Sequence, residues 1–215
     1  MLLAQLVGCT GVLINPDDES VSGAYDAPNF AHDVNNTAEN ASVAEDEISI
    51  LPIPLAEISY YLEEVPQELN DEVFAAEVKE ALNQWEWATD GRRIFYQVAS
   101  SSGADLVIGF RAAKHEEGCD KGFSSMSTIA HVFTYDNGCM AGIMHLNRDL
   151  TWTMNGSSRS GTIDVRTAVM HELGHVLGLA HVNEPGHIMY PYYQGVFRGL
   201  SELDSSDIQE VLDNM

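Results

Sequence analysis

Apolar residues fall into regular periods along this chain only beyond about residue 48, and the period changes from one segment to the next. Ile58-Ser59-Tyr60-Tyr61-Leu62 is a β-branched and aromatic run between Pro54 and Pro66, and predicts a first strand. Val73, Phe74, Val78, Ala81, Leu82 and Trp85 then repeat at the helical period. A helix is expected from about Asp71 to Thr89, capped by Asn70 and stopped at Asp90-Gly91. Two strand runs follow, Ile94 to Val98 and Asp105 to Phe110, joined by the turn-rich Ser100 to Gly103. After a loop-like stretch from Arg111 to Ser127, Ile129 to Tyr135 and Gly142 to Leu146 read as short strands around an Asp136-Asn137-Gly138-Cys139 turn. A second helix starts near Thr162 or Asp164. A third, capped by Asp204, buries Ile208, Val211 and Leu212. A long helix between strands favours an α/β (α+β) sandwich over an all-β domain.

The stretch before residue 48 has no such pattern. Residues 15–50 are rich in Asp, Glu, Asn, Ser, Ala and Gly and contain no basic residue, so they bury too little apolar surface to offset their ordering entropy. They read as an acidic tether, in which His32 is a solvated side chain. Residues 1–14 open with MLLAQLVGCTG. Leu6-Val7-Gly8-Cys9 has the form of a bacterial lipoprotein processing site, with Cys9 as the acylated anchor. Against this, no Lys or Arg precedes Lys79 and the apolar run is short, so an apolar N-terminus of no significance is the alternative. The folded domain is expected to cover residues 51–215.

Charge narrows the range of partners. Asp and Glu number 33 against 10 Lys and Arg, a formal net charge of -23, which repels polyphosphate. Nucleic acid is not an expected partner, and no apolar run is long enough to span a bilayer. Three cysteines leave one over after any pairing. With Cys9 as a lipid anchor, Cys119 and Cys139 form the natural pair in an exported protein; two unpaired thiols are the alternative.

The chemistry concentrates in His171-Glu172-Leu173-Gly174-His175-Val176-Leu177-Gly178-Leu179-Ala180-His181. On a helix, residues four apart lie about 40° from each other around the axis and about 6 Å apart along it, so His171 and His175 share a face. Gly178 permits the backbone to leave the helix and return His181 as a third ligand. Three neutral imidazoles leave a fourth position on zinc for water, and Glu172 can take a proton from that water. The bland alternative, ordinary histidines on an amphipathic helix, has to account for every one of these offsets.

The complete His-Glu-x-x-His-x-x-Gly-x-x-His pattern, followed by Met189 in Ile-Met-Tyr-Pro, resembles the metzincin peptidases. Within them the chain resembles the matrixins, the catalytic domain of matrix-metalloproteinase type. That resemblance runs from about residue 55 to 215 and includes Gly103-Ala104-Asp105-Leu106-Val107-Ile108-Gly109-Phe110, Ala130-His131-Val132-Phe133 and the His145 to Trp152-Thr153 spacing. It implies a twisted mixed sheet with three helices, the zinc site on the second helix and a Met-turn at Met189 below the metal. It also implies a peptide substrate lying antiparallel to an edge strand near Val132 to Tyr135. The implied activity is that of a zinc endopeptidase, monomeric, exported and either anchored to the cell envelope or extracellular, with Glu172 as general base. The alternative is a catalytically silent zinc-containing binding protein of the cell surface.

Matrixins commonly hold a second, structural zinc. His131 and His145 match two of its ligands by context, and His115 and Glu117 stand for a His-x-Asp pair with Glu in place of Asp. The family calcium site lacks acids at Asn147 and Leu150, with Asp149 and Asp120 as nearby substitutes. The Pro-Arg-Cys-Gly-x-Pro-Asp switch does not occur in the sequence, and Val182 replaces the Ser usual after the third histidine.

Overall fold

The computed structural model describes Ile53, residues 55–115, Phe123, residues 126–133 and 142–157, Arg159, and residues 161–200 and 204–213. The expected lipid anchor Cys9, the acidic tether with His32, Glu117, the Cys119–Cys139 pair and Asp120 lie outside the described residues.

Strand β1 (Glu57–Leu62) leads into helix α1 (Asp71–Ala88), and the chain returns as β2 (Ile94–Gln97) parallel to β1. A helix is what such a parallel return requires, because a tight turn can only reverse the chain. Asn70 starts α1 as expected, its Oδ1 accepting the Val73 N–H at 2.9 Å. Strands β3 (Leu106–Arg111) and β5 (Ile143–Asn147) extend the parallel set, and β4 (Ala130–Phe133) pairs antiparallel with β5 at the edge. The sheet order is β2-β1-β3-β5-β4, a mixed sheet with a single antiparallel edge. Ile58, Leu106, Ile108, Met144 and Leu146 are fully buried, as the apolar runs require.

Two boundaries and one pair of strands differ from the expected pattern, each for a local reason. Asp105 stays outside β3 because its Oδ2 accepts both the Ser59 N–H at 2.8 Å and the Ser59 hydroxyl at 2.5 Å, tying the strand entrance to β1. Val98 lies beyond β2 yet still donates its N–H to the Tyr60 carbonyl. Strands β6 (Trp152–Thr153) and β7 (Ile163–Asp164) form a separate parallel pair of two residues each, too short for a periodic pattern to reveal.

Helix α2 (Val165–Val176) starts at the Asp164 cap and packs against α1 and β4. Trp85 of α1 is fully buried, and its indole N–H donates to the Met170 carbonyl of α2 at 2.9 Å. Phe110 meets the Phe74 ring at a tilt and the Trp152 ring edge-on, with centroids 5.4 and 5.5 Å apart. The incoming chain is fixed by the Ile53 N–H bond to the Val176 carbonyl and by buried Arg93, which donates to the Leu55 carbonyl. Helix α3 (Ser205–Asp213) closes the domain, with Val211 buried and Ile208 packed on the core. Among the described residues no helix is long and apolar enough to cross a membrane.

Candidate metal centre

Two hydrogen-bonded caps hold the helix that carries the motif. At its start, Asp164 Oδ1 accepts the Thr167 N–H at 3.0 Å and the Thr167 hydroxyl at 2.9 Å. At its end, Gly178 adopts φ +98°, a backbone region that a Cβ would strain. The Gly178 and Leu179 N–H groups then bond back to the His175 and Gly174 carbonyls at 3.0 and 2.9 Å, the paired bonds of a Schellman turn. This reversal brings His181 back over the helix.

The three histidines converge. His171 Nε2 and His175 Nε2 lie 3.1 and 3.3 Å from His181 Nε2. The far side of each helical ring faces a main-chain acceptor, His171 Nδ1 on the Ile188 carbonyl at 2.6 Å and His175 Nδ1 on the Leu179 carbonyl at 2.7 Å. Carbonyls only accept, so both Nδ1 atoms carry the proton and both neutral rings aim an Nε2 lone pair inward. Nitrogens bound at about 2.0–2.1 Å to one tetrahedral zinc are separated by about 3.3 Å. The spacing and the tautomers therefore fit a zinc ion.

Glu172 is wholly buried beside His171, and neither of its carboxyl oxygens finds a hydrogen-bond partner among the described residues. Burial pushes its carboxyl well above the ordinary carboxylate range. A carboxyl left so exposed to desolvation and without a partner is suited to receive a proton from a reacting group. Met189 is fully buried against the same helix, its Sδ 2.2 Å from where a Gly174 Cβ would stand, so a side chain at Gly174 would displace it.

A second cluster forms from separate elements. His131 of β4 and His145 of β5 are register partners across the antiparallel pair, which places their side chains on one face. His131 Nε2 and His115 Nε2 lie 3.2 and 3.1 Å from His145 Nδ1. His115 Nδ1 faces the Ala112 carbonyl at 2.6 Å, and the Phe123 ring covers His131 at 4.4 Å between centroids. Both three-histidine groups place one nitrogen of each ring within 4.8 Å of the others, close enough to hold a metal. Around the expected calcium positions, Asn147 donates to the Thr128 carbonyl at 2.8 Å and Asp149 accepts the Ala113 N–H at 2.9 Å.

Sequence reasoning missed a buried ionic cluster next to α2. Glu77 of α1 accepts from Arg166 Nε at 2.7 Å, Arg198 Nη2 at 3.0 and 3.1 Å, and the Asn155 N–H at 2.8 Å. Arg198 Nη1 also reaches Asp164 Oδ2 at 3.2 Å. Burial raises the Glu77 carboxyl, but the Arg198, Asn155 and Arg166 hydrogen bonds outweigh it and leave the group below its ordinary range. The signal was available: Glu77 falls on the apolar stripe of α1, three residues after Phe74 and four before Ala81.

Comparison with known proteins gives the family. The matrixin family model (peptidase M10) matches residues 54–213. Karilysin of Tannerella forsythia is 34% identical over 129 residues, 59% of this chain and 26% of its own length. Matrix metalloproteinase-25 of Mus musculus is 36% identical over 110 residues, 51% of this chain and 18% of its own. Matrilysin of Rattus norvegicus is 34% identical over 136 residues, 63% and 46% of the two chains. The chain spans less than half the length of each of these three relatives. With the family model covering most of its length and the mixed sheet and three helices in place, the chain belongs to the matrixin family of metalloendopeptidases.

Proposed function

We propose that the chain hydrolyses internal peptide bonds, with a catalytic zinc held by His171, His175 and His181 and with Glu172 as general base. One observation carries this reading: three Nε2 atoms converge, two of them with their Nδ1 protons fixed on carbonyls, beside a buried carboxyl that has no hydrogen-bond partner among the described residues. When bound, the zinc supplies Lewis acidity and lowers the pKa of water at its open position. Glu172 takes the proton from the attacking water and passes it to the departing amide nitrogen. The Ile188 and Leu179 carbonyls hold the two helical rings in direction, and Met189 gives the site an apolar floor. Strand β4, at the sheet edge, offers the backbone to which an extended substrate can add antiparallel.

Around this centre, the reading takes His115, His131 and His145, with Glu117, as ligands of a structural zinc. It takes the protein to be monomeric and exported, with Cys9 lipidated and Cys119 bridged to Cys139. Intact mass of the protein from its source, with and without reductant and alkylation, tests both covalent features. The catalytic assignment is tested by Glu172→Ala. Chelator-sensitive cleavage of a denatured protein substrate should fall about 10²- to 10⁴-fold, the usual contribution of a positioned base, while the metal content stays unchanged. An active Glu172→Ala protein sinks the assignment, and wild-type protein that binds zinc but cleaves nothing favours the silent binding protein.

A further inference from the structure

The turn that follows β5 is tied by one side chain, Asn147. It is fully buried, and each of its polar groups has a partner. Its backbone N–H donates to the Ile129 carbonyl at 2.9 Å, and its carbonyl accepts the Trp152 indole N–H at 2.8 Å. The side-chain Nδ2 donates to the Thr128 carbonyl at 2.8 Å and the Met126 carbonyl at 3.3 Å, while Oδ1 accepts the Asp149 N–H at 3.0 Å. Turned over, the amide would set Oδ1 against two carbonyls and its own N–H groups against another donor, so the network fixes its orientation.

Two further bonds leave the same turn. Asp149 Oδ2 accepts the Ala113 N–H at 2.9 Å, and the Arg148 N–H donates to the Arg111 carbonyl at 2.7 Å. His131 follows Thr128 by three residues, His115 follows Ala113 by two, and His145 precedes Asn147 by two. One turn thus fixes the approach to all three histidines of the second cluster.

The family resemblance implies a calcium ion near this turn, and the side chain at Asn147 does not fit one. Calcium takes roughly 6–8 oxygen ligands. Toward the Met126 and Thr128 carbonyls Asn147 turns an NH2 group, which has no lone pair for a cation and already meets both oxygens with partly positive hydrogens. Leu150, at the other expected acid, has no side-chain oxygen and packs on the core. A carboxylate at position 147 would face the two carbonyls with acceptors alone and would need a cation between them.

We infer that the Asn147 amide stands in for a cation at this turn: its N–H donors tie the Met126 and Thr128 carbonyls, so the second histidine cluster is assembled without calcium. The test uses the full chain, freed of calcium and kept in constant zinc, with and without millimolar calcium. Melting temperature and hydrogen exchange across residues 126–131 and 143–150 are read for wild type, Asn147→Asp and Asn83→Asp, which adds the same charge on α1. Wild type should melt at the same temperature in both buffers, with unchanged exchange in these segments. Without calcium, Asn147→Asp should melt at least about 4 °C below wild type, the scale of buried carbonyls losing their donors in a domain of this size, and Asn83→Asp should not. Calcium should recover most of that loss, because the new carboxylate supplies oxygens beside the two carbonyls. Wild-type segments that gain protection with calcium overturn the inference, as does Asn147→Asp protein that matches wild type without it. A loss that calcium does not reverse, or an equal loss in Asn83→Asp, also overturns it. If Asn147→Asp yields no folded protein, the wild-type exchange with and without calcium decides alone.

Discussion

The two histidine clusters bring three imidazoles together by opposite routes. His171, His175 and His181 lie on one helix and the turn that ends it, and their geometry follows from helical period and a Schellman turn. His115, His131 and His145 come from a loop and two strands, and they meet only when β4 and β5 pair in the observed register. A one-residue slip of that register would turn His131 to the other face. Local geometry therefore preorganises the first cluster before any metal arrives. In the second, a bound metal would be linked to strand pairing, because the ligands meet only in that register.

The largest effects should separate the clusters along this line. His175→Ala removes a ligand from the preorganised site, and kcat/KM should drop at least about 10³-fold, the several kcal/mol that metal catalysis supplies. Its melting temperature should change much less than its activity. His145→Ala should do the reverse: kcat/KM of the folded protein within about threefold of wild type, because the sites are separate. Its stability in zinc should fall by about 2–4 kcal/mol, the linkage lost with a bound ion. Equal loss of activity in both variants, measured beside denaturant unfolding, would break the comparison.

A smaller effect tests the turn on which the first cluster depends. Gly178→Ala forces a Cβ into φ +98° and should cost about 1–2 kcal/mol. The strain falls between His175 and His181, so zinc affinity should weaken along with stability. Competition with a chromogenic chelator reads the first and denaturant unfolding the second. Unchanged affinity would mean that His181 reaches its place without the turn.

The same contrast explains what was legible in the sequence. The first cluster, its glycine and Glu172 follow from spacing within eleven residues, because a helix converts spacing directly into direction. The order of β1 to β5 and of the three helices was equally accessible, being periodic over long segments, whereas the parallel pairing of β2 with β1 was not read from it. The convergence of His131 and His145 depended on register, which spacing alone does not set, and family resemblance supplied the pairing instead. Strands β6 and β7 were too short to leave a period. The Glu77 cluster joins residues up to 121 apart, and its one local sign was an acid on an apolar stripe. Long-range ion pairs leave no periodic trace, since either partner alone looks like a misplaced charge.

The finest distinction concerns acid. Glu77 and Arg166 clamp the start of the helix that carries the first cluster, whereas no described residue of the second cluster bonds to Glu77. The Glu77 carboxyl is held below its ordinary value of 4.5, because its hydrogen bonds to Arg198, Asn155 and Arg166 outweigh its burial. A group whose folded pKa is depressed adds stability that is present above its unfolded pKa and is lost as pH falls through the folded value. The stability gap between wild type and Glu77→Gln should therefore be constant from pH 7 to about 5 and narrow below about pH 4. Hydrogen exchange should place the gap in α2 and residues 190–198 rather than in β4 and β5. A gap that persists unchanged to pH 3 would show that Glu77 holds the helix by shape and hydrogen bonding, with its charge contributing nothing.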